Sequence, residues 1–173
     1  MSFILANERD EGPREMLTAF AKYRRYVEEN RAGFPSGAYE LASSNWYFDF
    51  HDHRCPHDGW LESLTMNEAQ SGADAADRHC SIRLRLLGAY HDCIIEMHYP
   101  IVYSYQFENR ASARGNRGWR YDEFRLSEGG RLVHEIEWAG SPGEEARWVI
   151  EAADVEFRVL PIEGDRAAED GQP

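Results

Sequence analysis

Hydrophobic side chains recur at helical spacing in one N-terminal stretch of the chain. The apolar positions are Met16, Phe20, Tyr23 and Val27, with charged residues between them. This spacing places the apolar side chains along one side of an α-helix. Pro13 suits the first turn of a helix, whereas Gly33 followed by Pro35 stops one. We therefore expect a single amphipathic helix over residues 13–31.

Beyond residue 45 the hydrophobic pattern becomes alternating. Aromatic and polar residues alternate first in the stretch around Trp46, Phe48 and Phe50, and the same rhythm returns in later segments separated by short turns. Alternation of this kind is typical of β-strands that bury one face. The predicted strands cover residues 46–51, 60–66, 79–87, 92–99, 101–108, 119–126, 131–138 and 147–160.

Successive strands without helical crossovers between them imply an antiparallel sheet. We predict an α+β fold that is mostly β, with the N-terminal helix packed on a curled antiparallel sheet or a two-sheet β-sandwich of seven to nine strands. Residues 1–162 are expected to form one domain, with the β region over about 45–160. Residues 163–173 are charged and lack large apolar side chains, so we predict a disordered acidic tail.

Composition and charge limit the classes of partner. The chain has 173 residues, 42% of them hydrophobic and 13% aromatic, which suits a globular protein with a bulky core. Its formal net charge is -12, and the excess lies beyond residue 33. Such a charge repels nucleic-acid backbones and favours encounters with cationic proteins. We expect a basic protein partner, no nucleic acid and no membrane; the oligomeric state stays open.

The cysteines and the N-terminus indicate a compartment. Cys55, Cys80 and Cys93 are an odd number of thiols, which argues against a disulfide framework. The first residues contain only three consecutive large apolar side chains, too few for a signal peptide, and no stretch approaches the ~18 apolar residues of a membrane span. We therefore expect a cytoplasmic protein.

One run concentrates potential metal ligands. Its donors occupy alternate positions and are His51, His53, Cys55 and His57. In an extended segment alternate side chains share a face, so these donors could converge on Zn²⁺ or another divalent transition metal. Pro56 disfavours a regular strand here, and a polar, solvated turn is the competing interpretation. No other cofactor is expected.

Two polar residues interrupt an inward apolar rhythm. His134 lies between apolar neighbours, and Glu62 does so in an earlier segment. A buried imidazole or carboxylate needs a partner or lines a cavity. The cavity hypothesis gives a ligand pocket walled by Trp46, Trp60, Tyr99, Tyr103, Trp119, Trp138 and Trp148. The carboxylate pairs of the later strands, Asp122 with Glu123 and Glu135 with Glu137, are expected to lie mostly on solvated faces.

An arginine-rich stretch runs against the overall charge. Four arginines, Arg110, Arg114, Arg117 and Arg120, occur there without an intervening acid. The stretch is either a loop whose arginines offset nearby carboxylates or an anion-holding loop. Elsewhere the chain has no nucleophile elbow and no phosphate-binding glycine loop, so we assign no catalytic residue.

Short motifs suggest a family. The segments are His57-Asp58-Gly59-Trp60-Leu61-Glu62-Ser63-Leu64, Ser81-Ile82-Arg83-Leu84, Tyr99-Pro100-Ile101-Val102-Tyr103, Asp122-Glu123-Phe124 and His134-Glu135-Ile136. With these segments, over roughly residues 35–160, the chain resembles small, uncharacterised bacterial β-rich domains associated with polymorphic-toxin immunity. The resemblance implies a cytosolic, acidic binding protein without catalysis.

Three functional hypotheses follow from these observations. The first is an immunity-type protein that neutralises a basic partner such as a toxin. Its candidate binding residues are Asp58, Trp60, Glu62, Tyr99, Tyr103, Asp122, Glu123, His134 and Glu135. The second is a metal-binding protein or metal-dependent enzyme that uses the histidine run. The third is a small-molecule carrier built on the curled sheet.

Overall fold

The computed structural model describes residues 2–70, 72–74, 76–108, 118–140 and 145–162, apart from the side chains of residues 7 and 8. Its helices are α1 (Pro13–Glu29) and α2 (Ser36–Ser43). Its strands are β1 (Trp60–Gln70), β2 (Arg78–Leu87), β3 (Cys93–Phe107), β4 (Trp119–Leu126), β5 (Leu132–Trp138), β6 (Ala146–Ala152) and β7 (Glu156–Pro161). The predicted α+β, mostly β class with an N-terminal helix is confirmed. Within the described ranges no helix is long and apolar enough to cross a membrane.

The strands form one open antiparallel sheet in the order β1-β2-β3-β6-β5-β4. β7 and β6 follow one another along β3, since residues 93–98 of β3 pair with β7 and residues 102–107 pair with β6. The predicted alternatives are thereby decided in favour of a single sheet. Its inward rows are those expected from alternation: Ile82, Leu84 and Leu86 on β2, and Ile95, Met97 and Tyr99 on β3, are fully buried.

The two ends of the strand order approach each other at one place. The Asp58 amide donates to the Trp119 carbonyl (2.7 Å), and the Trp119 amide donates to the Gly59 carbonyl (2.8 Å). A side chain at Gly59 would lie 2.9 Å from the Pro56 carbonyl oxygen and 3.2 Å from that of Leu87, so glycine permits the close packing of this turn against the end of β2. The residues preceding β1 are thus fixed against the start of β4.

Helix α1 covers the outer edge of β4. The Tyr23 hydroxyl accepts from the Phe124 amide (2.9 Å) and donates to the Phe124 carbonyl (3.2 Å). The Tyr26 hydroxyl accepts from the Leu126 amide (2.9 Å). These hydroxyls satisfy main-chain groups that an edge strand would otherwise present to another chain.

The predicted strand over residues 46–51 is wrong. Residues Trp46–Phe48 form a single 3-10 turn, in which Tyr47 is fully buried while Trp46 and Phe48 are half-buried. All three aromatic rings contact the core, so the alternating pattern in this segment does not correspond to the two faces of a strand. The segments 92–99 and 101–108 also join into β3, whereas 147–160 divides into β6 and β7.

Helix α2 was missed by the sequence pattern. Asp154 accepts hydrogen bonds from the amides of Gly37 (3.1 Å) and Ala38 (3.0 Å), so a residue distant in sequence caps the first turn. A side chain at Gly37 would meet the Val155 carbonyl oxygen at 2.0 Å. Gly37 is therefore required by the close packing of α2 on the chain between β6 and β7.

We expect Tyr23→Phe to lower the free energy of unfolding by about 1–3 kcal/mol, because it leaves the buried Phe124 amide and carbonyl without their partner. Urea denaturation measures the change. Tyr103→Phe, at a tyrosine with 47% exposure, is the matched control and should leave stability unchanged. Equal stability of the two variants would contradict the edge-capping role.

Candidate functional site

A closed hydrogen-bond network lies in the middle of the core. Asp122 Oδ2 accepts from the Tyr47 hydroxyl (2.8 Å) and lies 2.9 Å from His134 Nε2, while Asp122 Oδ1 accepts from the Trp119 indole (3.0 Å). On the other side of the imidazole, the Tyr99 hydroxyl lies 2.6 Å from His134 Nδ1. With the imidazole proton on Nε2, every polar atom of the network has a partner.

The network is sealed from solvent. His134, Tyr47, Tyr99 and Trp119 are fully buried and Asp122 nearly so. Burial raises the pKa of both Tyr47 and Tyr99 well above the usual tyrosine range, because a buried phenolate would be unfavourable. A carboxylate, an imidazole and a phenol in line resemble a proton relay, but all of these groups are buried among the described residues. It braces the core.

The carboxylates expected on solvated faces are buried instead. Glu123, Glu135 and Glu137 lie on the face of β4 and β5 opposite the network, and all three are nearly inaccessible. The N-terminal segment crosses this face: Glu123 Oε2 accepts from the amides of Phe3 (2.9 Å) and Ile4 (2.8 Å). The prediction that these carboxylate pairs face solvent was therefore wrong, because local sequence patterns do not show that the N-terminal segment covers this face of the sheet.

Arginines neutralise these carboxylates. Arg147 bridges Glu135 (2.8 Å) and Glu137 (3.2 Å), Arg125 pairs with Glu135, and Arg9 pairs with Glu137 (3.0 Å). Arg125 Nε also lies 2.9 Å from Glu123 Oε1, although without hydrogen-bond alignment. Burial raises the pKa of Glu123, although the nearby amides and Arg125 favour its charged form. The result is an internal ion-pair network that attaches the N-terminus to the sheet.

The histidine run is a series of turns rather than an extended segment. Cys55 is buried and its thiol donates to the Tyr47 carbonyl (2.9 Å). His53 pairs with Asp92 (2.6 Å), and the His57 ring stacks on Phe50 at 3.9 Å. His51 is exposed. Each donor has its own surroundings, so the condition for convergence is not met.

Metal binding by these residues stays a prediction. Among the described residues, no group of three or more His, Cys, Asp or Glu side chains is arranged to hold a metal ion. Burial raises the pKa of the Cys55 thiol to about 12, which disfavours the thiolate that a metal would need.

The aromatic residues of the hypothetical pocket do not surround one cavity. Tyr99, Trp119, Trp138 and Trp148 pack into the closed core, where the rings of Trp138 and Trp148 are 4.8 Å apart. Tyr103 instead lies on the surface beneath the Arg131 guanidinium, 4.0 Å from it. The carrier hypothesis therefore has no support from the residues that suggested it.

Glu62 lies at a bulge rather than in the core. The register of β1 against β2 shifts between Leu61 and Ser63, which leaves Glu62 exposed and paired with Arg85 (2.9 Å). The bulge also changes which face the neighbouring side chains occupy. Trp60, expected to face inward, is 55% exposed.

Trp60 begins an apolar row across the outer face of the sheet. In the strand registers Trp60 lies opposite Leu87, Leu87 opposite Ile94, and Ile94 opposite Leu160. Directly opposed residues of antiparallel strands share a face, so these four side chains form one row. Its two ends, Trp60 and Leu160, are exposed. A residue beyond this row, Ile162, is also exposed and donates its amide to the Asp92 carbonyl (3.0 Å).

The row continues onto the turn between β2 and β3. The Trp60 ring meets the His91 ring edge-on at 5.0 Å, and the exposed Tyr90 ring stacks on His53 at 4.0 Å. We call this region the hairpin-end surface and define it by the exposed side chains Asp58, Trp60, Tyr90, Asp92, Leu160 and Ile162. Sequence reasoning missed its last four members, since Tyr90 and Asp92 lie in the turn between β2 and β3 and the pattern over residues 147–160 did not show that Leu160 stays exposed.

Carboxylates surround the hairpin-end surface. Asp58 and Asp92 belong to it, and Asp49 and Asp52 lie in the adjoining turns. The Arg54 guanidinium holds the pKa of Asp52 at about 2, and the His53 hydrogen bond lowers the pKa of Asp92. Both carboxyl groups are therefore ionised at neutral pH. Arg54 neutralises Asp52 (2.8 Å), so the negative border of the apolar row consists of Asp49, Asp58 and Asp92. An apolar row with such a border is suited to a basic protein surface.

The backbone around Trp60 is constrained. Asp58, two residues before Trp60, and His91, whose ring contacts that of Trp60, both have φ of +60°. Residues other than glycine rarely adopt this left-handed conformation, and it recurs at binding sites where the surrounding structure enforces it. Of the arginine-rich stretch, Arg110, Arg114 and Arg117 lie outside the described residues.

We expect Asp122→Ala to lower the free energy of unfolding by more than about 3 kcal/mol, because it leaves three buried donors without their common acceptor. Urea denaturation measures the loss. Glu40→Ala, at an exposed carboxylate of α2, is the control and should change stability by less than about 0.5 kcal/mol. A loss below about 1 kcal/mol for Asp122→Ala would contradict the bracing role of the network.

We also expect stability to fall in mild alkali through Cys55. Its folded-state pKa of about 12 lies above the ordinary value of 9.0, so its contribution is present below pH 9 and is lost as the pH rises toward 12. Between pH 9 and 10 the native protein should lose about 1 kcal/mol more than Cys55→Ser, which does not titrate there. Denaturation curves at the two pH values measure this; identical losses would contradict it.

Comparison with known proteins adds no relative to this account. No protein-family model, no curated protein and no solved structure gave a significant match to the chain. The function is therefore inferred from the chain's own residues, above all from the composition and charge of the hairpin-end surface.

Proposed function

We propose that this protein is a small acidic binding protein of the immunity type, which neutralises a basic protein partner such as a nuclease-type toxin in the cytoplasm. The observation that carries the proposal is the exposed Trp60 in an apolar row bordered by Asp58 and Asp92. Tryptophan and tyrosine are enriched among residues that dominate binding energy, and carboxylates steer basic partners into contact.

The distribution of charge supports the same function. The formal net charge is -12, yet the carboxylates of β4 and β5 are buried and neutralised by arginines. The exposed negative charge is therefore carried by other parts of the chain, including the turns around the hairpin-end surface. A basic partner would be attracted toward this end of the sheet and would then bury the exposed aromatic rings.

The proposed contacts differ from the candidate residues named from sequence. Asp58 and Trp60 belong to the surface, whereas Tyr99, Asp122 and His134 support the sheet from within. A partner would not touch these internal residues. Their substitution should act through stability, while substitutions on the surface should act through binding.

We expect Trp60→Ala to weaken binding about 30-fold or more, because truncation of a tryptophan that dominates an interface typically costs at least about 2 kcal/mol. The probes are purified basic nuclease-type toxin domains, with any encoded beside this gene tested first, and calorimetry gives the dissociation constants. Tyr103→Ala removes another exposed aromatic ring outside this surface and should bind like the native protein.

Salt provides the second criterion. Binding should weaken several-fold between about 50 and 300 mM salt, because the opposed charges are screened. The proposal fails if no basic domain of the panel binds, if Trp60→Ala and Tyr103→Ala are equivalent, or if affinity is indifferent to salt.

A further inference from the structure

The free edges of the sheet differ in how they are protected. The edge of β4 is capped by the Tyr23 and Tyr26 hydroxyls. β7 has six residues and ends in Pro161, so its outer edge is short and interrupted. β1 has eleven residues, and from Ser63 to its end it contains no proline, glycine or lysine. The bulge of β1 lies before this stretch, so from Ser63 to Gln70 the edge is long and regular and has Glu68 as its one charged residue.

The outer edge of β1 is also accessible. β2 pairs with its inner edge, and no other described helix or strand packs extensively against it. Residues 65–70 are all exposed, including Met66, which is 40% exposed on the inner face of the sheet. An edge of this length presents a row of main-chain donors and acceptors that another strand could satisfy.

We propose that a second copy of this chain binds here, with the two β1 strands pairing antiparallel about a twofold axis at Thr65. The local sequence is self-complementary about this residue. On the inner face, Leu64 of each copy would oppose Met66 of the other, since both lie on that face in the register with β2. On the outer face, Ser63 would oppose Asn67, and the two copies of Thr65 would face each other.

The charged side chains near the twofold axis do not disfavour this register. The same pairing brings Glu62 of one copy near Glu68 of the other, and each carboxylate already has an arginine of its own chain. Glu62 pairs with Arg85 at 2.9 Å, and Glu68 lies 3.7 Å from Arg78. Apolar and threonine pairs across antiparallel strands are stabilising, whereas uncompensated like charges are not.

The product is a closed dimer rather than a fibre. A twofold pairing uses the same edge in both copies, so no β1 edge is left to bind a third copy. The capped edge of β4 does not extend the sheet either. Two sheets become one continuous antiparallel sheet. The proposed pairing covers residues 62–68, because the bulge between Leu61 and Ser63 ends the regular part of the edge. Trp60 and the other side chains of the hairpin-end surface lie outside these residues, so the proposed partner and the second copy do not compete for the same atoms.

The net charge sets the salt dependence. Each copy carries a formal charge of -12, so the copies repel one another at long range and salt should strengthen the dimer by screening. This is the opposite of the salt dependence expected for a basic partner. The two proposals can therefore fail independently of one another.

The experiment is sedimentation equilibrium of the full chain from micromolar concentrations to about 1 mM, at low and high salt. We expect a monomer–dimer equilibrium that tightens with salt. Thr65→Lys places two cations face to face at the axis and should weaken the dimer about tenfold or more. Thr18→Lys, at an exposed position of α1, adds the same charge elsewhere and should dimerise like the native protein.

Hydrogen exchange locates the interface. Those amides of residues 63–67 that point away from β2 should gain protection as concentration rises, whereas the amides of β7 should not. Trp60→Ala should leave the dimer unchanged, which separates this test from that of partner binding. Any of three results would overturn the proposal. The chain could stay monomeric throughout the concentration range, both lysine variants could weaken the dimer equally, or hydrogen exchange in β1 could be independent of concentration.

Discussion

The carboxylate of Asp122 fixes the relation between the central strands and the aromatic turn that precedes the sheet. It accepts from Tyr47 on that turn and from Trp119 on its own strand, and it meets His134 on β5, beyond which Tyr99 extends the network to β3. A buried charge is unfavourable unless its hydrogen bonds are complete. Because these bonds come from separate parts of the chain, they are complete only when β3, β4, β5 and the turn have their native arrangement.

The opposite face of the same strands is organised by ion pairs. Glu123 accepts hydrogen bonds from main-chain amides of the N-terminal segment. Arg147 pairs with Glu135 and Glu137 and also donates to the Leu5 carbonyl (2.9 Å). The half of the sheet formed by β4, β5 and β6 is therefore covered on both faces. What it leaves for recognition is the other half, where the outer apolar row ends in exposed Trp60 and Leu160.

Local patterns sufficed for α1 and for the inward rows of β2 and β3, because those elements bury one face and expose the other. They failed where distant residues decide the structure. The cap of α2 comes from Asp154, and Glu123 is buried because the N-terminus covers it. The exposure of Trp60 follows from the bulge at Glu62, which alternation in the sequence cannot show. The sequence indicated that His134 needs a partner. That this partner is Asp122 could be seen only from the register of β4 and β5.

The central claim is that the Asp122 network is a sealed brace and that recognition takes place outside it. Native-state hydrogen exchange of the Trp119 indole proton tests this most directly. This proton is held by Asp122, whereas the Trp138 indole nitrogen is buried without a partner among the described residues. The account predicts that the Trp119 indole exchanges only through global unfolding, with the same denaturant dependence as the unfolding equilibrium. Exchange that is fast and independent of denaturant would show that solvent reaches the network in the native state, and would contradict the claim.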